Sequence, residues 1–262
     1  MPSSFFLSSE EILSLPEKEK QAFFNAFFSK LESGELRSCY FDGTQWVYDA
    51  WIRTTILSYF KTHSSMSMEG YPHSFDKIPL QNTSSLVRRI PGSLVRRGAY
   101  IGQNSILMPS FVNIGAYIGE GTMLDTWSTV GSCAYIGKRC HLSGGVGIGG
   151  VLEPVTQQPV IIEDDCFIGG RCEIAEGVHI GYGSVLAAGV FLTQSTRIYN
   201  RQTGEISFGS IPPLSVVVPG SLALDDRCSI AAALIVKTRD QKTSHKTALN
   251  DVLRDFKIDS CI

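Results

Sequence analysis

Aliphatic residues recur at every sixth position along two stretches of the chain. The first carries Ile118, Leu124, Val130, Ile136, Leu142 and Ile148; the second carries Ile162, Ile168, Ile174, Ile180, Leu186 and Leu192. A helix repeats its apolar positions about every 3.6 residues and a half-buried strand about every two. A period of six belongs instead to a hexapeptide parallel β-helix, whose short strands stack coil upon coil. Glycine often follows the aliphatic, at Gly119, Gly131, Gly137, Gly149, Gly169 and Gly181, which reads as relief of strain where the chain turns a corner. Four places after the aliphatic comes a small or apolar residue: Thr122, Ser128, Ala134, Cys140 and Val146, then Cys166, Cys172, Val178, Ser184 and Val190. Two inward positions per hexad suit one flat side of a triangular prism, so three hexads close a coil of about 18 residues. A β-sandwich would show period-two alternation with irregular turn spacing instead.

The rule holds less well outside those stretches. Ile106 and Val112 fit it, whereas Ile114-Gly115 falls out of step. Two segments interrupt the count, VLEPVTQQPV (151–160) and QSTRIYNRQTGEISFGS (194–210). Insertions in a stacked coil must leave through corners as loops, where binding residues concentrate. Residues ahead of the repeats follow other patterns. Ser8-Ser9-Glu10-Glu11 is a capping box, and Phe23, Phe24, Phe27 and Phe28 continue that helix to a stop at Gly34. Asp42-Gly43 marks a hairpin, a second helix runs from Asp49 to Lys61, and 63–79 reads as a connecting loop. Past Pro219-Gly220, 231–237 reads as a strand and 247–256 as a terminal helix. The domains are therefore 1–94, helical and α+β; 95–220, the β-helix; and 221–262, a C-terminal strand-and-helix cap.

The 262 residues are 43% hydrophobic and 18% charged, with a net charge of −2. This balance speaks against a nucleic-acid or anionic-membrane surface. No apolar run reaches the roughly 18 residues that span a bilayer, and the N-terminus does not read as a signal peptide. Seven cysteines without a CxxC pair argue against a disulfide scaffold or zinc knuckle. Cys140, Cys166 and Cys172 fall on the small inward position and Cys133 one place from it, as buried thiols suited to a reducing cytoplasm.

Few residues break the pattern in a way that suggests chemistry. Asp125 stands where the corner glycine is usual. It either satisfies local backbone amides, as turn aspartates do, or serves a reaction. Glu173 is either an outward solvated residue or an acid/base group. His141 and His179 precede the inward aliphatic in their hexads, and the histidines form no metal constellation. The string Ser143 to Gly150 is glycine-dense but lacks a Walker Lys-Ser/Thr pair, so it allows close approach rather than cradling a nucleotide phosphate. Arg88, Arg89, Arg96 and Arg97 are either solvated surface charge or a clamp for carboxylates.

The stretch MPSFVNIGAYIGEGTMLDTWSTVGSCAYIGKRCHLSGGVGIGGVLEP (108–154) closely resembles the tetrahydrodipicolinate N-succinyltransferases, a family of hexapeptide-repeat acyltransferases. The likeness extends through IIEDDCFIGGRCEIAEGV, QSTRIYNRQTGEI, SVVVPGS, FDKIP and VKTRDQKT, and so covers most of 75–254. It implies a homotrimer of left-handed parallel β-helices with active sites in clefts between prisms. Succinyl-CoA would be the co-substrate, with no permanently bound cofactor. The acceptor would be the amine of 2-amino-6-oxopimelate, in lysine and diaminopimelate synthesis. By the same resemblance Arg88 and Asp125 contact the acceptor, Glu173 is a second acid/base, and Arg96 holds the distal carboxylate. Arg89 stands where the family commonly has a neutral residue. The chemistry expected is direct acyl transfer, with a carboxylate taking the amine proton and backbone amides of the glycine-rich coils stabilising the oxyanion. The pantetheine arm is expected along the late coils near Ser184 and Ala188, with Lys237 at the coenzyme phosphates. The competing readings are a sugar-nucleotide or serine acetyltransferase with His141 as base, and a non-catalytic scaffold. The arginine pairs and the anomalous corner aspartate favour a dicarboxylate enzyme over both.

Overall fold

The computed structural model describes residues 6–68, 74–81, 86–152, 154–156 and 158–240. Most of it is a parallel β-helix of triangular section, built from two-residue strands in three ladders. The first face stacks Arg88–Arg89, Ile106–Leu107, Met123–Leu124, His141–Leu142, Phe167–Ile168, Val185–Leu186 and the start of Ser215–Ala223. The second stacks Leu94–Val95, Phe111–Val112, Thr129–Val130, Gly147–Ile148, Glu173–Ile174 and Phe191–Leu192. The third stacks Tyr100–Ile101, Tyr117–Ile118, Tyr135–Ile136, Ile161–Ile162, His179–Ile180 and Ser210–Ile211. Pairing sets each inward aliphatic on its equivalent in the next coil, as in Leu124 on Leu142 and Ile148 on Ile174. The twelve residues of the six-residue period are 0–3% exposed and form one continuous core.

The small inward residues also satisfy backbone carbonyls. Thr122 Oγ1 donates to Gly137 O at 2.7 Å, and Cys172 Sγ to Ala187 O at 3.1 Å. Corner strain is carried elsewhere than expected. The residue three places after the aliphatic takes the left-handed conformation: Trp127, Cys133, Arg139, Asp165 and Arg171 have φ of 53–63°, and Gly145 and Gly189 occupy the same place. The glycines directly after the aliphatic do a different job. A Cβ on Gly119, Gly131, Gly169 or Gly181 would come within 2.3–2.6 Å of the next coil's backbone. They permit close stacking rather than the turn.

The prism starts earlier than residue 95. Arg88–Arg89 already pairs with Ile106–Leu107, and Arg89 fills the inward position of this first strand. Its guanidinium donates to Ser93 O from Nε at 3.1 Å and from Nη2 at 2.8 Å, and to Gln81 O from Nη1 at 3.0 Å. Burial pulls the Arg89 pKa below that of an ordinary arginine. Arg89 is thus a plug in the mouth of the prism rather than surface charge. The early register also differs: Leu107, not Ile106, points inward, and the turn to Val112 is one residue short. Ile114 faces outward into the N-terminal core. At the far end, Val216–Val217 continue the first face, after which Ser215–Ala223 pairs antiparallel with Ser229–Thr238. The terminal helix expected over 247–256 lies outside the described residues.

Ser8 caps helix α1 (Ser9–Ser14) in the reciprocal arrangement expected. Pro16 separates α1 from α2 (Glu17–Glu32), where one helix was expected. Phe24, Phe27, Phe28 and Leu31 of α2 pack with Ile52, Ile56 and Tyr59 of α3 (Ala50–Thr62), and with Ile114 and Cys133 of the prism. Asp42-Gly43 does turn a hairpin, between Cys39–Phe41 and Trp46–Tyr48. The expected loop 63–79 holds a second one, Met66–Met68 with Ser74–Asp76.

This N-terminal unit covers the third face. Tyr100, Tyr117 and Tyr135 stack there with ring centroids 4.5 and 4.9 Å apart, Arg37 lies over Tyr117, and Trp46 meets Tyr135 edge-on at 4.9 Å. Both insertions leave from the edge between the second and third faces, hereafter the loop edge. The edge between the first and second faces carries no insertion, and we call it the bare edge.

Candidate active site

Asp125 sits on the bare edge directly after the inward Leu124. Its amide donates to Leu142 O at 2.9 Å, which fixes the backbone, and its Oδ1 accepts from Thr126 N at 2.6 Å. The turn reading is therefore half right, since one oxygen is used locally. The other, Oδ2, is turned toward the next coil, 4.0 Å from where a Cβ on Gly144 would stand. Glu173 projects from the second face one coil further on, paired with Gly147. Its Oε2 lies only 2.0 Å from the place of a Gly147 Cβ, so the carboxylate folds down into the space the glycine leaves. Partial burial there raises the Glu173 pKa above the usual carboxylate value. Arg171, just ahead of it, lies back over Gly145.

The strip Gly144 to Gly147 is thus bracketed by Asp125 from one coil and by Arg171 and Glu173 from the other. Coils are about 4.8 Å apart. The strip's amides are mostly spoken for: those of Ser143, Gly145, Val146 and Gly147 donate to Ile168, Thr126, Ser143 and Cys172 carbonyls. Gly144 N–H alone among them has no acceptor within the described chain. The general expectation of glycine-rich amides for an oxyanion narrows to this one donor.

The other candidates fall in three places. Arg88 is exposed on the first face, two coils before Met123–Leu124, on the order of 10 Å from Asp125 along the axis. Arg96 lies one corner further round, on the loop edge, away from Arg88 and Asp125. Its Nη2 pairs with Asp76 at 2.7 Å and its Nη1 donates to Asn113 Oδ1 at 3.0 Å, so within one chain it joins the N-terminal unit to the prism. Ser184 is corrected outright as a coenzyme contact. It is fully buried and donates to Pro212 O at 3.0 Å, because it holds the inward position four residues after Ile180. Ala188 is exposed on the bare edge, two coils beyond Gly144. Lys237 pairs across the terminal hairpin with Val216 and forms an ion pair with Asp240 at 2.5 Å. His141 is 8% exposed on the first face, its ring stacked on Phe167 at 5.1 Å. Sequence reasoning missed Arg171 and the Gly144 amide. The signal for Arg171 was a charged residue in the left-handed corner place, with Gly145 and Gly189 as its coil neighbours.

The match to hexapeptide repeats of succinyl-transferases covers residues 159–194. A 2,3,4,5-tetrahydropyridine-2,6-dicarboxylate N-succinyltransferase of Xylella fastidiosa is 51% identical over 88% of both chains. The chain belongs to this family. The enzyme of the same name from the Wolbachia of Brugia malayi is 51% identical over 86% of both chains, and that of Parvibaculum lavamentivorans 46% over 95%. A solved Campylobacter jejuni chain, described as a tetrahydropyridine-2-carboxylate N-succinyltransferase, is 16% identical. It superposes with a TM-score of 0.54 over 87% of this chain and 63% of its own, which bears on the fold. Among the described residues no group of three His, Cys, Asp or Glu is placed to hold a metal ion, and no helix is long and apolar enough to cross a membrane.

Proposed function

We propose that this family member transfers the succinyl group of succinyl-CoA to the amine of 2-amino-6-oxopimelate, the opened form of tetrahydrodipicolinate, in lysine and diaminopimelate synthesis. The observation that carries the reading is the pair of carboxylates, Asp125 and Glu173, facing one strip whose outward positions are glycine, on an edge clear of insertions. The acceptor amine reaches neutral pH protonated and must lose a proton to attack. Asp125 Oδ2 is free to take it, since Oδ1 is held by Thr126. Nitrogen bonds to the thioester carbon, and the Gly144 amide is aimed to stabilise the oxyanion that forms. The carbon–sulfur bond then breaks. As it breaks, the nitrogen gives up its second proton, and Glu173 can take that proton and pass it to the departing thiolate. Arg88 holds an acceptor carboxylate, and the pantetheine arm follows the bare edge past Ala188.

The second face supports assembly with further copies. Phe191 is 64% exposed there, and Trp127, three coils earlier on the adjoining bare edge, is 72% exposed. A homotrimer would cover these rings and close the cleft over the glycine strip. The buried free thiols Cys140, Cys166 and Cys172 suit the cytoplasm. Thiol release from succinyl-CoA with 2-aminopimelate, a stable acceptor analogue, tests the reading against acetyl-CoA with serine or a sugar amine. Turnover of the first pair alone is expected. Turnover of only the second would install the His141 acetyltransferase reading, and turnover of neither would leave the scaffold reading.

A further inference from the structure

We infer that Arg171 binds the free carboxylate of the succinyl donor and so makes the site select a charged acyl group over a neutral one of equal length. The inference rests on the succinyl-transfer reading above and deepens it.

The argument begins with a comparison of two corners. Arg139 and Arg171 occupy the same place in their hexads, three residues after the inward aliphatic, both left-handed at φ 53° and 60°. Arg139 lies on the edge between the third and first faces. In the next coil above it stands Asp165, and the two form a bidentate pair at 2.7 and 2.6 Å. That is how a corner arginine is neutralised in this fold. Arg171 has Gly145 in the coil below and Gly189 in the coil above. A Cβ on Gly189 would meet nothing within 4 Å, so the space that Asp165 fills on the other edge is open here. No Asp or Glu oxygen among the described residues lies within the 4.0 Å of an ion pair with Arg171. Its guanidinium lies back over Gly145, with Cδ, Nε and Cζ 2.7–2.8 Å from the position of a Gly145 Cβ. Any larger residue at 145 would push it out.

Position and charge then name the ligand. Arg171 is on the coil next to Gly144, whose free amide marks the thioester carbonyl. In a succinyl group the free carboxylate carbon is three bonds from the thioester carbon, about 3.8 Å when extended. One coil step is about 4.8 Å. A donor lying with its carbonyl at Gly144 therefore presents its carboxylate to Arg171. Without this cation the donor's negative end would face Asp125 and Glu173 only. Guanidinium also matches a carboxylate at two points, which a neutral acyl tail cannot use.

The test compares succinyl-CoA with butyryl-CoA, of equal carbon count but lacking the carboxylate, using 2-aminopimelate as acceptor. Wild-type preference for succinyl-CoA is established first. Its absence would bring down the succinyl-transfer reading itself and this inference with it. Given that preference, Arg171→Gln should lower kcat/KM for succinyl-CoA by roughly 10- to 100-fold, the range for a lost charge-assisted contact, with butyryl-CoA turnover and acceptor KM unchanged. Arg171→Lys should fall between. Gly189→Asp supplies an independent variant that leaves Arg171 intact. It recreates the Asp165 arrangement in open space, in a backbone conformation that Asp165 itself adopts, and should also lower the succinyl-to-butyryl ratio of kcat/KM, in which any disturbance of the shared pantetheine path past Ala188 cancels. Equal losses with both donors, or retained succinyl preference in folded Arg171→Gln and Gly189→Asp, would overturn the assignment.

Discussion

The third face and the bare edge belong to the same prism and obey the same inward rule, yet their outward residues differ in kind. On the third face, Tyr100, Tyr117 and Tyr135 form a stacked ladder closed over by Arg37 and Trp46. Glu163 accepts hydrogen bonds there from Trp46 Nε1 at 2.9 Å, His179 Nε2 at 2.8 Å and Tyr182 N at 2.7 Å. Both Glu163 oxygens are thus engaged. On the bare edge, Asp125 keeps an oxygen uncommitted, Gly144 an amide and Arg171 a guanidinium. In a repeating fold the core is the same everywhere. Function resides where outward groups, here including one backbone amide, are left without partners in an otherwise bonded ladder.

The largest effect that tests this contrast is on rate. Asp125→Asn keeps the shape and the Thr126 hydrogen bond but cannot take the amine proton, and should lower kcat by about 10²–10⁴ with an unchanged circular dichroism spectrum. Glu173→Gln should follow it, and His141→Gln should matter less. Loss of turnover in His141→Gln alone would move the base from the bare edge to the first face.

Two glycine substitutions sharpen the contrast. A Cβ on Gly131 would sit 2.3 Å from Gly150 N, with backbone that cannot yield. Gly131→Ala should therefore destabilise by about 1–3 kcal/mol or more and lower the thermal midpoint. On Gly147 the obstacle is the carboxylate tip of Glu173, which can swing away. Gly147→Ala should leave the midpoint nearly unchanged and instead lower turnover by dislodging Glu173. A large drop in midpoint for Gly147→Ala would mean that the strip is structural.

The smallest effect belongs to the covered face. The His179 hydrogen bond, helped by Trp46 and Tyr182 N, holds the Glu163 pKa down at about 2, against its ordinary 4.5. A carboxylate lowered on folding stabilises the folded state above its unfolded pKa, and that contribution is lost as pH falls through the folded one. The thermal midpoint should therefore decline between about pH 4.5 and 2. Glu163→Gln should flatten this decline without altering the rate at neutral pH.

The core was legible because inward residues are chosen by one repeating environment, so twelve aliphatic positions announce it. The register slip at Leu107 was not, since both Ile106 and Leu107 are apolar and only strand pairing decides between them. Asp125 stood out by breaking the glycine rule, although that rule serves coil stacking rather than the turn. Ser184 could have been placed correctly, because four residues after Ile180 is an inward position by the repeat itself. Arg171 was hidden because its meaning depends on the residues one coil above and below, which the repeat brings together only once insertion 151–160 is discounted.

Arg89 has a consequence for the protein's life in crowded solution. The end of a parallel β-helix is a ready template: its terminal strands offer a ladder edge on which another chain's coil can continue, and a flat apolar cross-section that welcomes one. Arg89 puts a hydrogen-bonded cation where the next leucine would have to stack. An incoming coil would then bury that charge without a counter-ion, at a cost no single aliphatic contact offsets. One arginine at the inward position thus opposes continuation of the stack, beside Leu80 and Gln81, which already take the backbone of Arg96 and Val95.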